Sequence, residues 1–61
     1  MWLVKVYKDT FRKNLLLAKY HTDMKDLAMC LNSSPTRCYN HSYNRIKPKG
    51  VFKYITIAKL T

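Results

Sequence analysis

The sequence predicts a small α+β domain with the element order strand, strand, helix, helix, strand (ββααβ). Three observations lead to this fold class. Trp2, Val4 and Val6 alternate with their neighbours at the spacing of a strand. Residues 23–46 combine helical apolar spacing with two helix-start signals, and residues 51–60 are dense in β-branched and aromatic side chains. This order indicates one small sheet with two helices against it.

The N-terminal third predicts a β-hairpin. After the first strand, the polar segment from Asp9 to Asn14 supplies residues suited to a turn. Leu15 to His21 then resumes an extended, apolar run. The two strands are therefore expected to pair as neighbours.

The first helix is predicted to begin at an Asp23 cap. Four apolar residues follow at spacings of three and four, which would place them on one buried face of a helix: Met24, Leu27, Ala28 and Leu31. The pattern thus predicts a short helix that packs along one side.

A second helix is predicted after a tight polar turn at Asn32 and Ser33. Ser34 can accept a hydrogen bond from a free amide of the first turn, and Pro35 at the first helical position loses no useful N–H group. We expect this helix to run from Pro35 to about Arg45.

The C-terminal part predicts a basic loop and a third strand. Residues 47–50 read Lys-Pro-Lys-Gly, and proline and glycine both oppose continuation of a helix. Residues 51–60 form the predicted strand. Two short helices alone cannot enclose a core, so the sheet is expected to cover the open side of the helix pair.

Charge is the strongest compositional signal. The chain of 61 residues carries 12 Lys and Arg against 3 Asp and Glu, a formal net charge of +9, and none of the acidic residues is Glu. Such an excess attracts polyanions, with nucleic acid first and anionic membrane second, although lysines that only maintain solubility are an alternative. The length fits one domain over residues 1–61 with a marginal core, so a homodimer is also possible.

The two cysteines and the apolar runs suggest a cytoplasmic compartment. Cys30 and Cys38 both fall on predicted buried helix faces, and nothing before them resembles a secretory segment. The apolar run Leu15 to Ala18 is too short to cross a bilayer, and no long amphipathic helix is predicted. We therefore expect two structural thiols in a reducing environment and no membrane partner.

Enzyme and metal chemistry have little support in the sequence. Asp23 and Asp26 lie in the first turn of a predicted helix, where carboxylates commonly stabilise free amides and the dipole. Paired acids, a magnesium site and a Ser-His-Asp set all lack residues. Four possible zinc ligands occur in no common zinc spacing: His21, Cys30, Cys38 and His41. We expect no catalysis, no cofactor, no metal and no small-molecule substrate.

Residues 23–46, about two fifths of the chain, resemble a helix-turn-helix DNA-binding module. Leu27 and Leu31 match the core positions of that family, and the small residue Ala28 stands where the second helix must approach closely. Cys38, ten positions later, matches the small apolar contact. Small strand-flanked members include phage-encoded regulators, excisionase-like proteins and the DNA-binding tails of homing endonucleases.

Three positions depart from the family pattern. Asn32 replaces the preferred glycine of the turn, a mild change because asparagine tolerates a positive φ angle. Ser33 and His41 stand where aliphatic residues are usual, and the usual preceding helix is replaced by strands.

The resemblance implies that the second helix enters the major groove of double-stranded DNA with its N-terminal residues toward the bases. The side chains that would read bases are Thr36, Arg37, Asn40, His41 and Asn44. Ser34 and the first-turn amides would hold a phosphate. Arg45 and a basic wing formed by Lys47, Lys49 and Lys53 would contact the DNA backbone. The implied function is a transcriptional or recombination regulator of phage or mobile-element type.

For each of these positions a structural role is the alternative. Thr36 and Asn44 could be solvated surface residues, His41 could be half-buried, and the basic loop could keep a sheet edge soluble. Five basic residues of the hairpin also lack an assignment, because alternation does not say whether they share a face with the helix: Lys5, Lys8, Arg12, Lys13 and Lys19.

Two other functions stay open. Six aromatic residues interleaved with lysine could stack on RNA or single-stranded bases: Tyr7, Tyr20, Tyr39, Tyr43, Phe52 and Tyr54. Trp2, Phe52 and Tyr54 are nevertheless expected to be buried first. A small cationic chain could also inhibit a host protein complex by docking on it, which would require an exposed apolar patch away from Arg37 and Asn40.

Overall fold

A computed structural model describes residues 1–60 and confirms the predicted ββααβ order. The elements are β1 (Trp2–Tyr7), β2 (Leu15–His21), α1 (Met24–Cys30), α2 (Pro35–Ser42), a 3-10 helix (Gly50–Tyr54) and β3 (Ile55–Lys59). The sheet has three antiparallel strands in the order β2-β1-β3, so the chain places its first strand in the centre.

The hairpin is closed by a turn that Asp9 organises. The Asp9 carboxylate accepts hydrogen bonds from the backbone amides of Lys13 and Asn14 at 3.1 and 3.0 Å, and the Lys8 amide donates to the Asn14 carbonyl at 2.8 Å. Between Val6 and Tyr7 the register with β2 shifts, which is the signature of a β-bulge. The polar segment predicted as a turn therefore is one.

Both predicted helix caps form. The Asp23 side chain accepts from the Lys25 amide at 2.8 Å, and the Ser34 hydroxyl accepts from the Arg37 amide at 3.3 Å. Asn32 adopts φ 52°, the left-handed conformation expected from the sequence at this turn position. These three local signals fix the ends of α1 and the beginning of α2.

The second helix ends earlier than predicted, at Ser42 and not near Arg45. Asn44 adopts φ 57°, and the amides of Asn44 and Arg45 donate to the carbonyls of His41 and Asn40. This left-handed residue closes the helix in the way that asparagine or glycine commonly does.

Of the strand predicted over residues 51–60, only Ile55–Lys59 is extended. Its first part is the 3-10 helix, which begins at Gly50 with φ 58° and buries Phe52 beneath α2, where its ring centroid lies 4.9 Å from that of His41. The Arg12 guanidinium donates to the Phe52 carbonyl at 3.4 Å. The aromatic and β-branched composition favours a strand locally, whereas the 3-10 helix is the conformation in which the Phe52 ring is buried.

The core lies between the helix pair and one face of β1 and β3, as the sequence predicted. Its buried members are Trp2, Val4, Met24, Leu27, Ala28, Cys38, Phe52, Ile55 and Ile57. Two burial predictions are wrong: Cys30, at the end of α1, is exposed, and Tyr54 is 40% exposed. Cys30 lies near the end of β2 instead of in the core. The 3-10 helix buries Phe52 and leaves Tyr54 exposed.

The edge strand β2 lies largely outside this core. Its residues 15–20 are exposed on both faces, and only His21 at its end is buried. Leu16, Leu17 and Tyr20 are 62, 52 and 61% exposed. The helices cover the middle and far strands, so β2 presents an apolar surface and an unpaired backbone edge.

Candidate nucleic-acid interface

The α2 helix has one buried and one exposed side. Cys38 and His41 face the core, and Thr36, Arg37 and Tyr39 are exposed, with Asn40 half-buried. Burial raises the pKa of the Cys38 thiol, an effect that the nearby positive charge of Arg37 opposes. The exposed side thus carries side chains that donate and accept hydrogen bonds, and the buried side carries an unreactive thiol.

His41 is not placed to read a base. It is only 7% exposed, its Nε2 atom donates to the Ile55 carbonyl oxygen at 3.1 Å, and its ring lies against Phe52. A carbonyl can only accept, so this contact places the proton on Nε2. The imidazole fills the site that an aliphatic side chain usually occupies and also satisfies a backbone group of β3.

Asn44 and Arg45 lie beyond the end of α2. Asn44 occupies the left-handed position after the helix, so its identity is explained by backbone conformation. The Arg45 guanidinium lies 5.3 Å from the centroid of the Tyr43 ring. Neither residue belongs to the first turn of α2, where the sequence resemblance implies base contacts.

A cleft of about 300 Å³ joins the turn between the helices to the basic loop. We call it the turn cleft; its lining residues are Leu31, Asn32, Ser33, Arg37, Lys49, Gly50, Val51 and Phe52. It brings Arg37 and Lys49 to one site although they are distant in sequence. The Ser33 hydroxyl in this lining is buried and makes no hydrogen bond with the residues that the structure describes.

Arg37 is held over the floor of the turn cleft. Its guanidinium carbon lies 5.6 Å from the centroid of the Phe52 ring, within the range of a cation–π contact. The side chain is nonetheless exposed. Lys47 and Lys53 are also exposed but do not line this cleft.

The basic residues of the hairpin do not share one face. Lys19 pairs with buried Val4 and so lies on the helix-covered side of the sheet, whereas Lys5 pairs with Ala18 and Thr56 on the opposite side. Arg12 has φ 57° and reaches the Phe52 carbonyl. Sequence reasoning could not place Arg12, because the contact depends on the 3-10 helix.

Arg12 also lines a second cleft of about 210 Å³ near the end of α2, together with His41, Ser42, Asn44, Thr56 and Ile57. The Arg12 Nε atom is buried there without a partner among residues 1–60. The Ser42 hydroxyl donates back to the Tyr39 carbonyl at 2.8 Å. This site lies at the opposite end of α2 from the turn cleft.

Four of the aromatic side chains proposed to stack on bases are exposed. These are Tyr20, Tyr39, Tyr43 and Tyr54, whereas Phe52 is buried. On α2, the rings of Tyr39 and Tyr43 are nearly parallel with centroids 6.5 Å apart, and Tyr39 meets Trp2 edge to face at 5.4 Å. The pair belongs partly to the rim of the core.

Comparison with protein families, with curated proteins and with solved structures finds no match for this chain. Among the described residues, no helix has the length and apolar character needed to span a membrane.

Proposed function

We propose that this chain binds double-stranded DNA without catalysis, as a small transcriptional or recombination regulator. The observation that carries the proposal is the turn cleft, whose lining includes both Arg37 of α2 and Lys49 of the basic loop. DNA bound across this cleft would meet a phosphate contact from Lys49 and a base contact from Arg37. Phosphate contacts of this kind fix the orientation of a protein on DNA.

The exposed side of α2 supplies the groups for base recognition. Thr36 and Arg37 lie in the first turn, and Asn40 follows one turn later. Arginine pairs bidentately with guanine and asparagine with adenine, each worth about 1–3 kcal/mol of discrimination. Ser34 caps the helix through the Arg37 amide and so holds this turn in place.

The proposed contact set is narrower than the sequence resemblance implied. His41 is excluded by its burial and its bond to Ile55, and Asn44 is assigned to closing the helix. Thr36, Arg37 and Asn40 remain as base contacts. Ser34, Arg45, Lys47, Lys49 and Lys53 remain as backbone contacts.

The test is binding to a random duplex, to single-stranded DNA and to RNA, each across a salt series and with selection for preferred sites. Enrichment of a duplex sequence that disappears in Arg37→Ala supports the proposal. Weak, salt-sensitive binding to all three nucleic acids would contradict it, because the charge would then act without base recognition.

The exposed apolar strand favours a second candidate function, docking on another protein. Leu16, Leu17 and Tyr20 are exposed apolar side chains on β2, a strand that is separate from α2 and has a free backbone edge. Leu17 pairs with Val6 and Tyr20 with Leu3, so these two lie on opposite faces of the strand. A partner strand could extend the sheet there, and a partner with an acidic surface would complement the charge of +9.

A photo-crosslinking amino acid in place of Leu16, compared with one in place of Thr36, tests this candidate in cells. A protein cross-linked only from position 16, and lost when Ala18→Pro disrupts the strand, supports docking. Cross-links to DNA from position 36 alone would instead support the first proposal.

A further inference from the structure

We propose a zinc site at the junction of β2 and α1, formed by His21, Asp26 and Cys30. One ligand atom from each of these residues lies within 4.8 Å of the other two. The ring nitrogen Nδ1 of His21 lies 3.3 Å from Oδ2 of Asp26. This site is independent of the proposed DNA contacts. It keeps His21 and Cys30 from the four possible zinc ligands of the sequence and adds Asp26 in place of Cys38 and His41.

The fold assembles the three ligands from two elements. Asp26 and Cys30 are four residues apart on α1, which places them on the same face of the helix. His21 is the last residue of β2 and pairs with buried Trp2, so it lies on the helix-covered side of the sheet. The histidine is 6% exposed and the other two residues are exposed, which leaves a route from solvent.

The distances fit tetrahedral zinc. With bonds of about 2.0–2.3 Å to nitrogen, oxygen and sulfur, tetrahedral angles require ligand atoms about 3.3–3.6 Å apart. The 3.3 Å separation between Nδ1 of His21 and Oδ2 of Asp26, which is also a hydrogen-bond distance, lies at the lower end of this range. The Cys30 sulfur lies within 4.8 Å of both atoms, on an exposed side chain at the end of the helix, so zinc binding requires it only to move closer to them.

The donor types select the metal. A thiolate, an imidazole and a carboxylate together suit Zn²⁺, whereas Mg²⁺ and Ca²⁺ prefer oxygen ligands alone. The Asp26 carboxylate and the Cys30 thiolate supply two negative charges that neutralise the ion. Three protein ligands leave a fourth position for water or for a group from a bound partner.

Zinc would link β2, whose residues are exposed except for His21, to α1. Residues 15–20 of β2 are exposed, and His21 is the single buried residue of that strand. A metal that bridges His21 to α1 would therefore stabilise the folded chain, because ligands brought together by folding bind the ion more tightly than the unfolded chain does.

The test titrates the full chain with Zn²⁺ and with Co²⁺. We expect one ion per chain, a rise in the melting temperature, and with Co²⁺ the near-ultraviolet absorption of a thiolate ligand. Asp26→Asn and Cys30→Ser should each lower the affinity by more than about 100-fold, since loss of groups that only orient ligands already costs about 10- to 100-fold. Both positions are exposed, so neither change should prevent folding.

Asp23→Asn is the matched control. It removes a carboxylate from the same end of α1 but keeps an oxygen that can cap the helix. It should leave Zn²⁺ affinity unchanged. Binding that survives Cys30→Ser, an equal loss in Asp23→Asn, or half an ion per chain would each overturn the three-ligand site.

Discussion

The Nε2 atom of His41 donates a hydrogen bond to the Ile55 carbonyl oxygen at 3.1 Å and thereby attaches α2 to the first residue of β3. Both residues are buried. The contact holds the inner side of α2 against the sheet and leaves Thr36 and Arg37 on the outer side. The orientation of the proposed recognition helix thus depends on a residue that does not itself face the solvent.

Replacing His41 should reduce stability without changing DNA sequence preference. His41→Leu keeps apolar volume but removes the donor, and we expect a loss of about 1–3 kcal/mol in the free energy of unfolding. His41→Ala should cost more because it also leaves a cavity beside Phe52. Urea denaturation measures both, with Thr36→Ala as a surface control. A changed base preference in folded His41→Leu would contradict the structural role.

Arg37 and Lys49 should affect DNA binding differently. Arg37→Ala is expected to flatten the preference between duplex sequences, and Arg37→Lys should recover charge but not bidentate pairing. Lys49→Ala should weaken all sequences together and reduce the salt slope by about one. Fluorescence anisotropy across a salt series measures these effects. Equal effects of Arg37→Ala and Lys49→Ala on every sequence would remove the distinction.

The hairpin turn should lose stability in acid. Backbone hydrogen bonds, first that of Asn14 and then that of Lys13, hold the pKa of Asp9 below its usual value. Because the folded pKa is lowered, the stabilisation is present above the unfolded pKa and is lost as the pH falls through the folded pKa. Between about pH 5 and about pH 2, the melting temperature measured by thermal unfolding should fall more steeply for the natural chain than for Asp9→Ala. Parallel curves would contradict this.

The two thiols should differ in reactivity. Cys30 is exposed, whereas Cys38 is buried and its pKa is raised by that burial. A thiol-alkylating reagent should therefore modify only Cys30 in the folded protein and both cysteines in denaturant, as mass spectrometry of the peptides would show. By the zinc proposal, Zn²⁺ should slow modification of Cys30. Native labelling of Cys38 at a similar rate would contradict the packed core.

Self-association should occur through β2. If two copies pair antiparallel about Ala18, Leu16 of each chain lies opposite Tyr20 of the other, and no lysine faces a lysine. We expect a dimer by sedimentation that Leu16→Lys converts to one chain, whereas Tyr54→Lys, at an exposed aromatic residue outside β2, has no effect. A mass of one chain at micromolar concentration for the natural sequence would rule out the dimer and leave β2 available to another protein.

Local features of this fold could be predicted from the sequence. The caps at Asp23 and Ser34, the left-handed Asn32 and the hairpin turn each depend on residues within a few positions of one another. Features that depend on contacts between residues far apart in the chain could not be predicted in this way. The sequence predicts that the third strand begins at residue 51, but Gly50–Tyr54 forms a 3-10 helix. This helix depends on the burial of Phe52 against His41, a contact with a distant element.

Sequence alone determined the order of the elements, their main caps and the charge that makes a polyanion the expected partner. Tertiary structure alone decided that His41 is a core residue, that Arg37 and Lys49 share a cleft, and that His21, Asp26 and Cys30 meet. The physical reason is distance along the chain. Short-range hydrogen bonds and apolar spacing depend on neighbouring residues, whereas these three sites form only where separate elements pack together.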